Sequence, residues 1–148
     1  MTIDNEIRRE IMINAPIERV WELISEPGWW VNNGEIRAHE ITEVPGRENV
    51  VRVTDPEYGD FTLEIVASHP PHEIAYRWLG GAGDGDAAVV STLITFTAQE
   101  TDDGVLLEVV ESGWAEVEPS EKVASEHQEN AHGWAVELHA AQKHLERS

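Results

Sequence analysis

Ile7-Arg8-Arg9-Glu10-Ile11-Met12-Ile13-Asn14-Ala15-Pro16-Ile17-Glu18-Arg19-Val20-Trp21-Glu22-Leu23-Ile24 changes its hydrophobic period halfway along. Ile7, Ile11 and Ile13 recur at even spacing, which puts them on one face of a strand, with Arg8, Glu10 and Met12 on the other. Beyond Ala15-Pro16, Ile17, Val20, Trp21 and Ile24 fall at i, i+3, i+4 and i+7, the apolar stripe of a helix. Pro16 suits the first helical position, where an N–H would have no partner, and Glu18 favours the positive end of the helix dipole. A strand running into a short helix restricts the fold because the rest of the chain reads as strands only, then one long helix.

Ser25-Glu26-Pro27-Gly28 breaks the first helix, and Trp29-Trp30-Val31 is predicted to form a second short helical turn. Strands are predicted over 37–44, 49–54, 60–67, 72–79, 88–99 and 104–112. Between them lie the turn signals Val44-Pro45-Gly46, Asp55-Pro56-Glu57-Tyr58-Gly59, His69-Pro70-Pro71 and Thr101-Asp102-Asp103-Gly104. Gly80-Gly81-Ala82-Gly83-Asp84-Gly85-Asp86 reads as a mobile loop. Links this short make antiparallel neighbours, because a parallel crossover needs a dozen or more residues. Glu118-Pro119-Ser120 opens a helix to about Glu146, with Val123, His127, Ala131, Trp134, Leu138, Ala141 and Leu145 as its apolar stripe. At its rise per residue such a helix is about 40 Å long and crosses a whole sheet. A curved sheet with a helix across it encloses a cavity or groove, where small-molecule sites form.

At 148 residues, a single domain spanning 1–148 is expected. The hydrophobic fraction of 41 % and six tryptophans mark a globular chain. The chain has no cysteine, which excludes a disulfide framework, a thiolate zinc site and a cysteine nucleophile. The first residues lack a basic segment followed by an apolar core, so no signal peptide and a cytoplasmic location are expected. Acidic residues outnumber basic ones 29 to 10, for a formal charge of −19, with lysine only at 122 and 143. Such a surface repels phosphate backbones and anionic membranes, so nucleic acid and membrane insertion are not expected. Solubility, salt adaptation and a basic partner or cationic ligand all remain open as its purpose.

Ile13-Asn14-Ala15-Pro16-Ile17-Glu18-Arg19-Val20-Trp21, Trp29-Trp30, Glu111-Ser112-Gly113-Trp114 and Gly133-Trp134 resemble the START-like (SRPBCC) superfamily. Within it they look most like the bacterial group named for homology to the C-terminal domain of the heat-shock-protein-90 ATPase activator. The likeness covers nearly the whole chain in order, and its motifs are structural. The resemblance implies an α+β helix-grip fold: a seven-stranded antiparallel sheet curved around a long C-terminal helix, with two short helices after the first strand. It also implies a pocket for an apolar ligand. Relatives include lipid carriers, hormone receptors, polyketide aromatase/cyclases and ring-hydroxylating oxygenase domains, and the chain lacks the iron–sulfur pattern of the last. Function varies widely on this scaffold.

Alternation groups Ile74, Tyr76 and Trp78 on one strand face and Leu107, Val109 and Glu111 on another. Neither face is decided by the pattern alone, and the resemblance favours these two as inward. A carboxylate in an apolar pocket has its pKa raised by desolvation, and suits acid/base chemistry or a cationic ligand. Glu111 has that role if it faces inward; near the mouth it would be solvated or paired with an arginine. Trp30, Trp114 and Trp134 are candidates for gripping a ligand or for filling the core. Gly133 inside a helix points to close approach of the sheet or of a ligand. The candidate ligand set is thus Trp30, Tyr76, Trp78, Val109, Glu111, Trp114, Trp134 and Leu138.

His132 and His139, and His69 and His72, lack the spacing of a zinc site, and there is no Gly-x-Ser-x-Gly elbow. No metal or cofactor is expected. The leading expectation is a binding protein for a small apolar molecule, as a monomer or homodimer. The alternatives are a cyclase-like or hydrolase-like enzyme using Glu111 and Tyr76, and a chaperone-associated module.

Overall fold

The structure, a computed structural model, describes residues 4–81, 91–116 and 120–147. Seven strands run in sequence order: β1 (Glu6–Ile13), β2 (Glu40–Glu43), β3 (Val50–Asp55), β4 (Gly59–His69), β5 (Glu73–Gly81), β6 (Leu93–Thr101) and β7 (Gly104–Ser112). They form one antiparallel sheet ordered β1-β7-β6-β5-β4-β3-β2. Helix α1 (Ile17–Ile24) comes after β1, and helix α2 (Glu121–Glu146) ends the chain. This is the helix-grip arrangement. The expected loop at 82–86 and the start of the strand expected from 88 lie outside the described residues.

The opening unit forms as its periodicity requires. Ile7 and Ile13 are buried in β1, and Pro16 caps α1 from one position before its first residue. On α1 the buried stripe is Ile17, Val20, Leu23 and Ile24, while Trp21 is only half-buried against the core. The second short helix is not formed. Residues 25–30 make two hydrogen-bonded turns, Trp29 N–H to Glu26 O and Val31 N–H to Gly28 O. Gly28 adopts φ +81°, which no helix continues through, and a Cβ there would lie 2.8 Å from the Phe61 ring.

Helix α2 starts at Ser120, whose hydroxyl accepts from the Val123 N–H at 3.1 Å. Its C-terminal end is fastened to the opening unit. Gln142 donates to Met12 O at 2.8 Å, Glu146 accepts from Asn14 N–H at 2.9 Å, and Arg19 donates to Leu145 O at 2.9 Å. A cation at this end also complements the helix dipole. The stripe expected on α2 is buried at Val123, Trp134, Leu138, Ala141 and Leu145, joined by Ala140 and Glu137. With its C-terminal end held close to β1, the segment of α2 from Glu126 to Glu137 borders a cavity against the sheet.

Candidate functional site

Pairing settles which face of β7 points inward. Across the sheet Glu111 lies between Ile7 of β1 and Ile94 of β6, and Ile94 in turn faces Tyr76 of β5. All four side chains are buried, so a carboxylate sits in an apolar row at 3 % exposure. Both of its oxygens nevertheless accept hydrogen bonds, all from neutral donors. Oε1 accepts from Trp134 Nε1 at 2.9 Å and Asn130 Nδ2 at 3.1 Å; Oε2 accepts from Thr92 Oγ1 at 2.5 Å and Asn130 Nδ2 at 3.2 Å. Burial pushes the Glu111 carboxyl above its ordinary range, and the bonds from Thr92, Trp134 and Asn130 pull against that shift, helped by the charge of His127.

The cavity beside it has a volume of about 460 Å³. Trp30, Val31 and Asn32 form one wall, Trp78, Thr92, Ile94 and Glu111 the sheet side, and Trp114 and Tyr58 also border it. Glu126, Glu129, Asn130, Gly133, Trp134 and Glu137 of α2 complete it. Trp30 packs at 5.3–5.8 Å from the rings of Tyr76, Phe96 and Trp134, and Trp78 stacks on Phe61 at 5.0 Å. Trp114 is held by the backbone, since its N–H and that of Gly113 donate to Asn5 O.

Of the expected ligand residues, Trp30, Trp78, Glu111, Trp114 and Trp134 lie together on the cavity wall. Tyr76, Val109 and Leu138 do not reach it, being 0–2 % exposed in the packed core. The Tyr76 hydroxyl donates to Ile24 O at 2.7 Å, and burial holds its pKa far above the ordinary range. At Gly133 nothing beyond its own helix backbone lies within 4 Å of where a Cβ would stand, so the sheet does not approach it; the position borders the cavity instead.

Three wall residues give little sign of themselves in sequence. Asn130 and Glu137 share a helical face with Trp134, at spacings of four and three, but polar side chains on a narrow stripe read as its edges. Glu137, 8 % exposed, accepts from Asn32 Nδ2 at 3.1 Å and Gly34 N–H at 3.2 Å, tying the wall at 30–34 to α2. Burial raises its pKa, opposed by those bonds and by the charge of Arg37. Thr92 precedes β6 and is set by the Trp78 N–H, which donates to its carbonyl at 3.0 Å.

A second network braces the rim. Asp55, 2 % exposed, accepts from Arg37 Nε at 2.9 Å and Nη2 at 2.8 Å, and from the N–H groups of Glu57 and Tyr58. His39 Nε2 lies 2.8 Å from Asp55 Oδ1 and 2.7 Å from Val31 O; both are acceptors, so this nitrogen carries the hydrogen. The Arg37 guanidinium stands 5.6 Å from the Tyr58 ring. Among the described residues no three His, Asp or Glu side chains are grouped to hold a metal ion, and no helix is long and apolar enough to cross a membrane.

A family model described as activator of Hsp90 ATPase homolog 1-like protein matches residues 14–146. No curated protein sequence matches the chain. Among solved structures, protein MLL2253 of Mesorhizobium loti is similar at TM-score 0.71 and 18 % identity, over 97 % of this chain and 98 % of that one. The Aha1 dimer of Colwellia psychrerythraea gives 0.65 and 16 %, over 96 % of each chain. DynU16, from the dynemicin biosynthetic locus, gives 0.70 and 19 %, over 98 % of this chain and 48 % of that one. At such identities the likeness is one of fold.

Proposed function

The chain belongs to the family of activator of Hsp90 ATPase homolog 1-like proteins, and from that premise we propose that it binds a small, mainly apolar molecule between its sheet and α2. The observation that carries this reading is a cavity of about 460 Å³ with four tryptophans on its wall. That volume lies within the range of small-molecule pockets, and tryptophan supplies large apolar contact with few rotatable bonds. The family supplies the scaffold; the ligand is argued from the cavity. N-phenyl-1-naphthylamine, a neutral apolar fluorophore, tests it. Saturable fluorescence enhancement at one probe per chain is expected, weakened by Gly133→Leu, whose side chain would enter space bordering the cavity. Enhancement that never saturates would count against a defined site. A monomer or a homodimer is the proposed assembly, to be distinguished by light scattering.

A second reading takes Glu111 as a proton donor or acceptor for a bound substrate, favoured by its burial beside the cavity and its raised pKa. Tyr76 has no part in it, because its hydroxyl is committed to Ile24 O. Turnover of a candidate substrate that survives Glu111→Gln unchanged would remove this reading.

A further inference from the structure

Every charged side chain on the cavity wall is an acid. Glu111, Glu126, Glu129 and Glu137 line it, and no lysine, arginine or histidine does so among the described residues. Glu111 has the least ordinary surroundings of the four. Its hydrogen-bonding partners Thr92, Asn130 and Trp134 are all neutral, and the indole and amide N–H groups can only donate to it. Three donors converging on two oxygens suit an ionised carboxylate, yet the strand neighbours on either side are isoleucines. The titratable group that acts on it is His127, one turn before Asn130 on α2, whose ring packs edge-on against Trp114 at 5.1 Å. Arg37, which acts on Glu137, is already engaged by Asp55 through two hydrogen bonds.

A buried carboxylate without a bonded cation is stabilised by any positive charge brought beside it. Tryptophan faces attract the same kind of group through their ring quadrupoles. We propose that the occupant of the cavity carries a cationic nitrogen, an ammonium or quaternary ammonium head on an apolar body, seated against Glu111 with the tryptophans around it. This inference rests on the reading of the cavity as an apolar-ligand site and adds the charge of the ligand to it. The formal charge of −19 favours the same sign at long range.

The test uses three probes of equal chain length, each below its micelle concentration: decyltrimethylammonium, decanol and decanoate. Calorimetric titration of the wild-type chain should rank the cation first, about tenfold tighter than decanol, with decanoate last. Glu111→Gln should bring the cation to within about twofold of decanol, both measured in the variant. Decanol or decanoate binding as tightly as the cation overturns the inference while leaving the apolar site standing. Failure of all three probes to bind overturns both. A cation preference that persists in Glu111→Gln removes Glu111 from the assignment. The wild-type ranking needs no variant to fold.

Discussion

Two buried carboxylates, Glu111 and Asp55, differ in their surroundings. Burial raises the pKa of Glu111 from 4.5, and the hydrogen bonds from Thr92, Trp134 and Asn130 and the charge of His127 oppose that shift without cancelling it. At Asp55 burial also pushes upward, but the N–H groups of Tyr58 and Glu57 together with Arg37 hold the carboxyl below 3.8. The two therefore act on stability in opposite senses. The contribution of Glu111 is full below its unfolded pKa and is lost as pH rises through its raised value. That of Asp55 is full above its unfolded pKa and is lost as pH falls through its lowered value. Thermal unfolding followed by circular dichroism should show Glu111→Gln gaining on wild type as pH rises from about 4 to 8. Asp55→Ala should cost about 3 kcal/mol at neutral pH, with the deficit shrinking in acid. A Glu111→Gln difference that is flat with pH would mean that the carboxyl is not titrating in a buried site.

At the scale of elements, α2 does two jobs along its length. Gln142 and Glu146 fasten its C-terminal end to β1 and the residues just after it, while Asn130, Trp134 and Glu137 near its middle hold Glu111 and the 30–34 wall. Gly133 lies in that middle stretch, with open space where its Cβ would be. Gly133→Ala should therefore stabilise the chain by about 1 kcal/mol through helix propensity, raising Tm by about 3 °C. A lower Tm would mean that the turn is closer to the sheet or to a neighbour than in this structure. Helix and strand are legible in sequence where periodicity is strong, as in 7–24 and in the stripe from Val123 to Leu145. The segment at Trp29-Trp30 departs from its helical expectation because single turns close there, Trp29 N–H to Glu26 O and Val31 N–H to Gly28 O, and no helix follows them.

For the molecule as a whole, the sheet order and the grip arise from element order and short links, which is why the opening strand and helix identify the scaffold. The site is less legible because its walls come from six separate segments. Alternation groups Trp78 with Tyr76 and Glu111 with Val109, the resemblance favours those faces as inward, and only the depth of the packed core separates the wall residues from the others. Asn32, Thr92 and Tyr58 have no periodic signal at all. The six indole N–H resonances provide the direct readout of a cavity occupied by an apolar ligand. In a ¹H–¹⁵N spectrum titrated with N-phenyl-1-naphthylamine, the signals of Trp30, Trp78, Trp114 and Trp134 should shift and saturate together, while that of Trp21, which does not line the cavity, stays in place. Shifts at Trp21 without movement of the four wall tryptophans, or no shift at any, would contradict an apolar site between the sheet and α2.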